Sequence, residues 1–94
     1  MNNASLWIRH AKEADVRNIY RLQFNEGWLL SSNEVARKIQ QMYVMGNENR
    51  LIGVHLAAKN HSPLLAPAVH PLFPQKTVEE MLLRGVHLLE TGGQ

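Results

Sequence analysis

The side chains best suited to proton transfer or metal binding in this 94-residue sequence are its five histidines, with Glu26, Glu48 and Tyr43. A general base must accept a proton from a group within hydrogen-bond reach. By position, Glu26 and His70 are the candidates for that role. His55, His61 and His70 fall at strand ends or in loops and would bind a metal only if the fold gathered them. No His-x-x-x-His spacing or similar ligand pattern supports this, so no metal is expected. Glu48 reads as a solvated turn residue and Tyr43 as a strand core residue. Trp7 and Trp28 would line a ligand groove or, more simply, pack in the core. Ser31 reads as a helix cap, because no Ser-His-Asp arrangement accompanies it.

Composition removes further classes. There are no cysteines, which excludes disulfides, thiolate nucleophiles and Cys-ligated zinc. The expected compartment is therefore cytoplasmic. Ten basic and eight acidic residues leave a net charge of +2. The basic residues are scattered singly, as at Arg9, Lys12, Arg17, Arg21, Arg37 and Lys38, so no nucleic-acid surface is expected. No apolar run approaches the length of a membrane span. With 45% hydrophobic and 19% charged residues, the composition is that of one globular domain over 1–94.

The elements that would position these residues follow from periodicity. Residues 5–10 read as a short strand. Ala11 to Gln23 switches to helical spacing, with Val16, Ile19, Tyr20 and Gln23 on one face. Gly27 ends that helix. Ser31 and Glu34 form a capping box. Val35, Ile39 and Met42 then recur at helical intervals, predicting a second helix to about Gln41. Met42–Met45 and Arg50–Ala57 make a hairpin around Gly46-Asn47-Glu48-Asn49, with Ile52, Val54 and Leu56 facing one way. Pro63–Val69 reads as a further strand, with Pro67 confining it to an edge or a bulge. Thr77 and Glu80 suggest a second capping box. Val78, Met81, Leu82, Gly85, Val86 and Leu89 follow as an apolar helical stripe. Gly85 on that stripe would allow close approach of helix and sheet, and Gly92-Gly93 would stop the helix. The order is β-α-α-β-β-β-α, an α+β fold with helices packed on a mostly antiparallel sheet.

Four segments of this order resemble the GNAT-type N-acetyltransferases, nearest to the N-acetylglutamate synthase branch. Ile8-Arg9-His10-Ala11 with Asp15 is similar to the family's opening strand and helix. Glu26-Gly27-Trp28-Leu29-Leu30 resembles the segment before the second helix. Tyr43–Val54, with Gly53, resembles the central hairpin. Ala68-Val69-His70-Pro71 resembles the end of the fourth strand. The resemblance implies acetyl transfer from acetyl-CoA to an amine. The cofactor pyrophosphate would be held by backbone N–H groups in a glycine-rich loop at the start of the third helix. By family position, Val69, Gln75, Lys76, Thr77, Val78 and Glu79 are the cofactor-binding places.

Those places depart from the family pattern. Its "R/Q-G-x-G-I-G" falls on Pro74-Gln75-Lys76-Thr77-Val78-Glu79, so Gln75, Thr77 and Glu79 stand where glycines let the backbone approach a diphosphate. Pro67 removes an N–H from the strand that would pair with the pantetheine arm. The arginine of the glutamate branch's "L-L-P-R-S" is absent from Leu29-Leu30-Ser31-Ser32-Asn33. The chain stops after its third helix, so a fifth strand is not expected. These departures imply a GNAT-like module without catalysis and without a bound cofactor. Such a module would work through a protein partner or a second copy of itself. Leu64, Leu65, Ala66 and Val69 on the Pro63–Val69 edge would form the interface. The alternative is an acetyl-CoA-dependent N-acetyltransferase acting on a small amine or amino acid.

Overall fold

The computed structural model describes residues 6–23, 30–57 and 67–92. Strand β1 spans Trp7–His10, and a 3-10 turn at Glu13–Asp15 leads into helix α1, Val16–Leu22. Helix α2 spans Ser32–Arg37 and is followed by a 3-10 turn at Ile39–Gln41. Strands β2, Met42–Gly46, and β3, Leu51–Leu56, form the hairpin. Strand β4 is Ala68–Val69, and helix α3 spans Gln75–Glu90. The strands form one antiparallel sheet in the order β1-β2-β3-β4. The α+β class and the β-α-α-β-β-β-α order expected from the sequence are those observed.

The sheet has an apolar cluster on each face. On one, Ile19 and Leu22 of α1 and Val35 of α2 pack with Met42, Val44 and Val54. On the other, Val78, Leu82 and Val86 of α3 pack with Tyr43, Met45, Ile52 and Val69. Simple alternation placed Ile52 with Val54 and Leu56, and the structure corrects this. Met45 pairs with Gly53 but the next residue, Gly46, pairs with Leu51. β3 therefore carries one extra residue, and the resulting bulge turns Ile52 to the α3 face. Gly53, paired regularly with Met45 and Val69, also lies under α3, where an added Cβ would stand 3.3 Å from Val78 Cγ1 and 3.5 Å from Leu82 Cδ2.

Helix ends show why other boundaries moved. At α2 the expected box is present: Glu34 N–H donates to Ser31 Oγ at 3.1 Å and Ser31 N–H to Glu34 Oε1 at 2.9 Å. The α-helix ends at Arg37 rather than continuing to Gln41, because Lys38 N–H is shared between the carbonyls of Glu34 and Val35 and the chain tightens. At α3, Pro74 holds the cap position and Val78 N–H donates to its carbonyl at 3.0 Å. Thr77 thus lies inside the first turn and caps nothing, contrary to the sequence reading. Proline suits this entry because its missing N–H is one that no helix would satisfy. Past Glu90, Thr91 Oγ1 donates to the His87 carbonyl at 2.9 Å, and Gly92 takes φ +70°.

Among the described residues, the fourth strand comprises Ala68 and Val69 of the expected Pro63–Val69 segment. Pro67 is buried but precedes the strand, as a residue that cannot donate to the ladder must. Residues 63–66 lie outside the described residues. No described helix is long and apolar enough to cross a membrane.

Candidate functional site

Two places could carry function, and both lie at the end of the sheet where β4 finishes. The first is the junction from β4 to α3. His70 N–H donates to the Ile52 carbonyl at 2.7 Å, continuing the ladder one residue past Val69. The chain then turns: Phe73 N–H donates to His70 O at 3.1 Å, and Leu72 N–H to His70 Nδ1 at 3.1 Å. The Phe73 ring stands edge-on to the imidazole, with centroids 5.8 Å apart. His70 therefore shapes the turn, and its Nδ1 lone pair is already committed.

The expected cofactor places sit in the first turns of α3. Gln75, Lys76 and Thr77 are exposed, and Val78 is buried under the helix. Gln75 Nε2 donates to Glu79 Oε2 at 2.9 Å, one helical turn on. This bond lays a carboxylate beside the first turn of α3. Val69 is buried against α3, so its side chain serves the core.

The second place is a cleft of about 500 Å³ on the α1 side. Asn18 and Arg21 of α1 form one wall, and Asn49, Arg50, His70 and Pro71 contribute to the other. A side-chain turn positions Arg50. Asn47 Oδ1 accepts the N–H groups of Asn49 and Arg50 at 2.8 and 3.0 Å, and Asn47 N–H donates to Arg50 O at 3.0 Å. The sequence reading did not single out Arg21 or Arg50. They are far apart along the chain, and each looks like an isolated surface charge.

The remaining candidates do not converge. His55 pairs with Tyr43 across β2 and β3, while His70 lies beside Ile52 at the other end of β3. Among the described residues no group of three His, Asp or Glu could hold a metal. His55 Nδ1 is buried with no hydrogen-bond partner. Burial pushes its pKa down from 6.5, opposed by the charge of Glu90. Burial also raises the Tyr43 pKa, helped by Glu90, whose Oε2 accepts the Tyr43 hydroxyl at 3.4 Å. His10 stacks at a tilt on Tyr43, with centroids 4.5 Å apart. Glu26, Trp28, His61, Leu64, Leu65 and Ala66 lie outside the described residues.

No protein-family model matches this sequence, and no curated protein matches it. Solved structures do match in shape. N-acetylglutamate synthase from Neisseria gonorrhoeae, complexed with coenzyme A and N-acetyl-glutamate, aligns with a TM-score of 0.72 at 19% identity. That alignment covers 96% of this chain and 23% of the synthase. The same enzyme with coenzyme A and L-arginine gives 0.74 at 20% identity, over 97% of this chain and 23% of that one. An aminoglycoside N-acetyltransferase, AAC(6')-Iy, in complex with CoA gives 0.72 at 14% identity, covering 97% and 72%. The fold is therefore a partial GNAT-like one, as the sequence resemblance implied. The likeness is one of fold, and this chain spans about a quarter of the synthase chains it matches.

Proposed function

We propose that this chain is a GNAT-like module that does not transfer acetyl groups and acts through association with another protein chain. The observation that carries the reading is the occupied first turn of α3. A diphosphate at the helix start needs bare backbone N–H groups within reach. Gln75, Thr77 and Glu79 fill the places where the family has glycine. The bond from Gln75 to Glu79 also holds a negative charge beside the turn. Two like charges about 4 Å apart repel by about 1 kcal/mol even in water, and by more when desolvated.

Association has separate support. Leu72 is 73% exposed, and Met81, Leu83, Leu88 and Leu89 of α3 are also exposed. Met81 and Leu88, two turns apart, share one flank of α3, and that apolar flank favours burial against a second surface. The proposed occupant is a second copy of the chain, the simplest symmetric arrangement. The interface would combine the β4 edge with the outer side of α3 and bury on the order of 1,200 Å² in total. The lack of cysteine suits a cytoplasmic setting.

Calorimetric titration with acetyl-CoA tests the first part, with no saturable heat as the expected result. A dissociation constant in the low micromolar range would overturn it. The alternative, an acetyl-CoA-dependent N-acetyltransferase acting on a small amine or amino acid, would then stand first. Sedimentation at roughly tens of micromolar tests the second part, since interfaces of this size commonly reach such affinities. A dimer that Leu88→Lys or Met81→Lys dissociates is expected. A monomer under those conditions defeats the homodimer.

A further inference from the structure

We infer that the cleft between α1 and the β2–β3 turn binds the phosphate group of a small phosphate ester. This inference does not rest on the reading above. It starts from one contact. Arg50 Nη1 stands 3.4 Å from His70 Nε2. Because Leu72 N–H donates to Nδ1 at 3.1 Å, Nδ1 is the unprotonated ring nitrogen and Nε2 carries the hydrogen. A guanidinium has donors only. The contact therefore sets donor against donor and is not a hydrogen bond. An oxygen that accepts from both would resolve it, and an anionic oxygen would do so most strongly.

The surroundings select an anion. Arg21 faces the same cleft from α1, and no carboxylate lines it. Among the described residues the one ion pair is Arg9–Asp15, so neither Arg21 nor Arg50 is neutralised by a described partner. The donors stand on two walls. A planar carboxylate suits one guanidinium fork, whereas tetrahedral phosphate presents oxygens to both walls at once. The cleft, at about 500 Å³, is much larger than a free ion and falls in the range of small-molecule sites. Leu22, Leu51 and Pro71 give the rest of the ligand an apolar surface. Both arginines are exposed, so binding is weak for the bare ion and sensitive to salt.

The test is an NMR titration of the full chain at constant ionic strength, using inorganic phosphate, phenyl phosphate and, as a comparison, acetate. Saturable shifts are expected at the amides of Asn49, Arg50, Leu51 and Leu72, with a dissociation constant of about 1 mM for inorganic phosphate. Phenyl phosphate should bind more tightly, and acetate at least about fivefold more weakly than phosphate. Arg21→Gln and Arg50→Gln should each weaken phosphate binding by at least about fivefold, while Lys76→Gln on α3 leaves it unchanged. The inference is overturned if no saturable shift occurs below roughly 20 mM, a range that would show even fragment-like affinity. It is also overturned if acetate binds as well as phosphate, or if the shifts centre on Gln75–Thr77 and vanish in Lys76→Gln. Should either arginine variant fail to fold, the unmodified chain still decides through where its shifts fall and the comparison with acetate. Acetyl-CoA is a second possible source of phosphate. If it binds here in an Arg50-dependent way, the phosphate site stands and the proposal that the module lacks cofactor binding fails. Failure of the phosphate titration leaves that proposal untouched.

Discussion

The Arg9 guanidinium donates two hydrogen bonds to the Asp15 carboxylate, Nη1 to Oδ2 at 2.7 Å and Nη2 to Oδ1 at 3.1 Å. Asp15 Oδ2 also accepts the Lys12 N–H at 2.7 Å, and the guanidinium lies 4.6 Å from the centre of the Trp7 ring. The pair ties β1 to the turn that starts α1. The Asp15 side chain is 9% exposed and that of Arg9 is 34% exposed, so the arginine end is partly screened by solvent. Removing one partner leaves the other charge poorly solvated. Arg9→Met should therefore destabilise by about 1–3 kcal/mol, and Arg9→Met with Asp15→Leu by less than the two single changes summed. Urea unfolding of the three variants measures this, and strict additivity would refute it.

Acidification should act through two groups in sequence. Burial lowers the His55 pKa below its ordinary 6.5, with Glu90 opposing. The unfolded chain then takes up the proton first. Stability is full above pH 6.5 and declines as the pH falls from there through the lowered folded value. For Asp15, burial pushes the pKa up. Hydrogen bonds from Arg9 and Lys12 and their charges outweigh this, holding it below the ordinary 3.8. Its contribution is full above 3.8 and is lost as the pH falls through the depressed value. His55→Val also removes an unpartnered buried nitrogen and places a β-branched residue in a strand. It should flatten the first decline while leaving the second. Melting temperatures across the acid range would show this, and an unchanged first decline would count against it.

The sequence made the framework legible where pattern and local chemistry agree. The Ser31–Glu34 box, Val78, Leu82 and Val86 of the α3 stripe and the close approach at Gly85 are of that kind, whereas Met81 and Leu89 of that stripe stand exposed at its flank and its end. It misled where one extra residue changed the count. Alternation through β3 assumed a regular ladder, but the second residue opposite Gly46 turns Ile52 to the other face. Thr77 with Glu80 had the form of a cap, yet Pro74 started the helix earlier. The phosphate cleft was not legible at all. Its donors come from α1, a hairpin turn and the end of β4, and only strand pairing brings them to one place.

Gln23 marks another relationship that spacing alone hid. It caps the end of α1, directly after Leu22, and is fully buried. Its Nε2 donates to the Leu30 carbonyl at 2.7 Å, and Leu30 N–H donates to its Oε1 at 3.0 Å. The carboxamide thus joins the end of α1 to the residue before the α2 cap. Gln23→Met keeps the bulk and removes both bonds, leaving two backbone groups unpaired. It should cost about 1–3 kcal/mol. Gln23→Glu should be no better, because a carboxylate accepts from Leu30 N–H but repels the Leu30 carbonyl. Thermal unfolding of both variants decides the matter. A loss below about 0.5 kcal/mol for Met, the range of an ordinary surface change, would mean the bonds contribute little.

The approach of α3 to β1 rests on Gly85. An added Cβ there would run into Ile8 Cδ1, with Ile8 Cγ2 at 3.3 Å and Ile8 Cβ at 3.4 Å behind it. Two effects of Gly85→Ala oppose each other. Alanine favours a helix interior by about 1 kcal/mol over glycine. Against that, Ile8 must swing its end methyl out of a packed site or α3 must shift away from the sheet. Such overpacking typically costs about 1–3 kcal/mol. We expect the collision to prevail, so Gly85→Ala should destabilise the wild-type background. Ile8→Val removes Cδ1, the atom first met, and costs about 0.5–1.5 kcal/mol by itself. In that background the collision is relieved and the helix preference remains, so Gly85→Ala should become stabilising. The sign reversal is the diagnostic outcome, equivalent to a coupling of about 1–3 kcal/mol between the two positions. Denaturant unfolding of the wild type, both single variants and the double variant completes the cycle. If Gly85→Ala has the same effect with Ile8 or Val at position 8, glycine at 85 is not set by contact with β1.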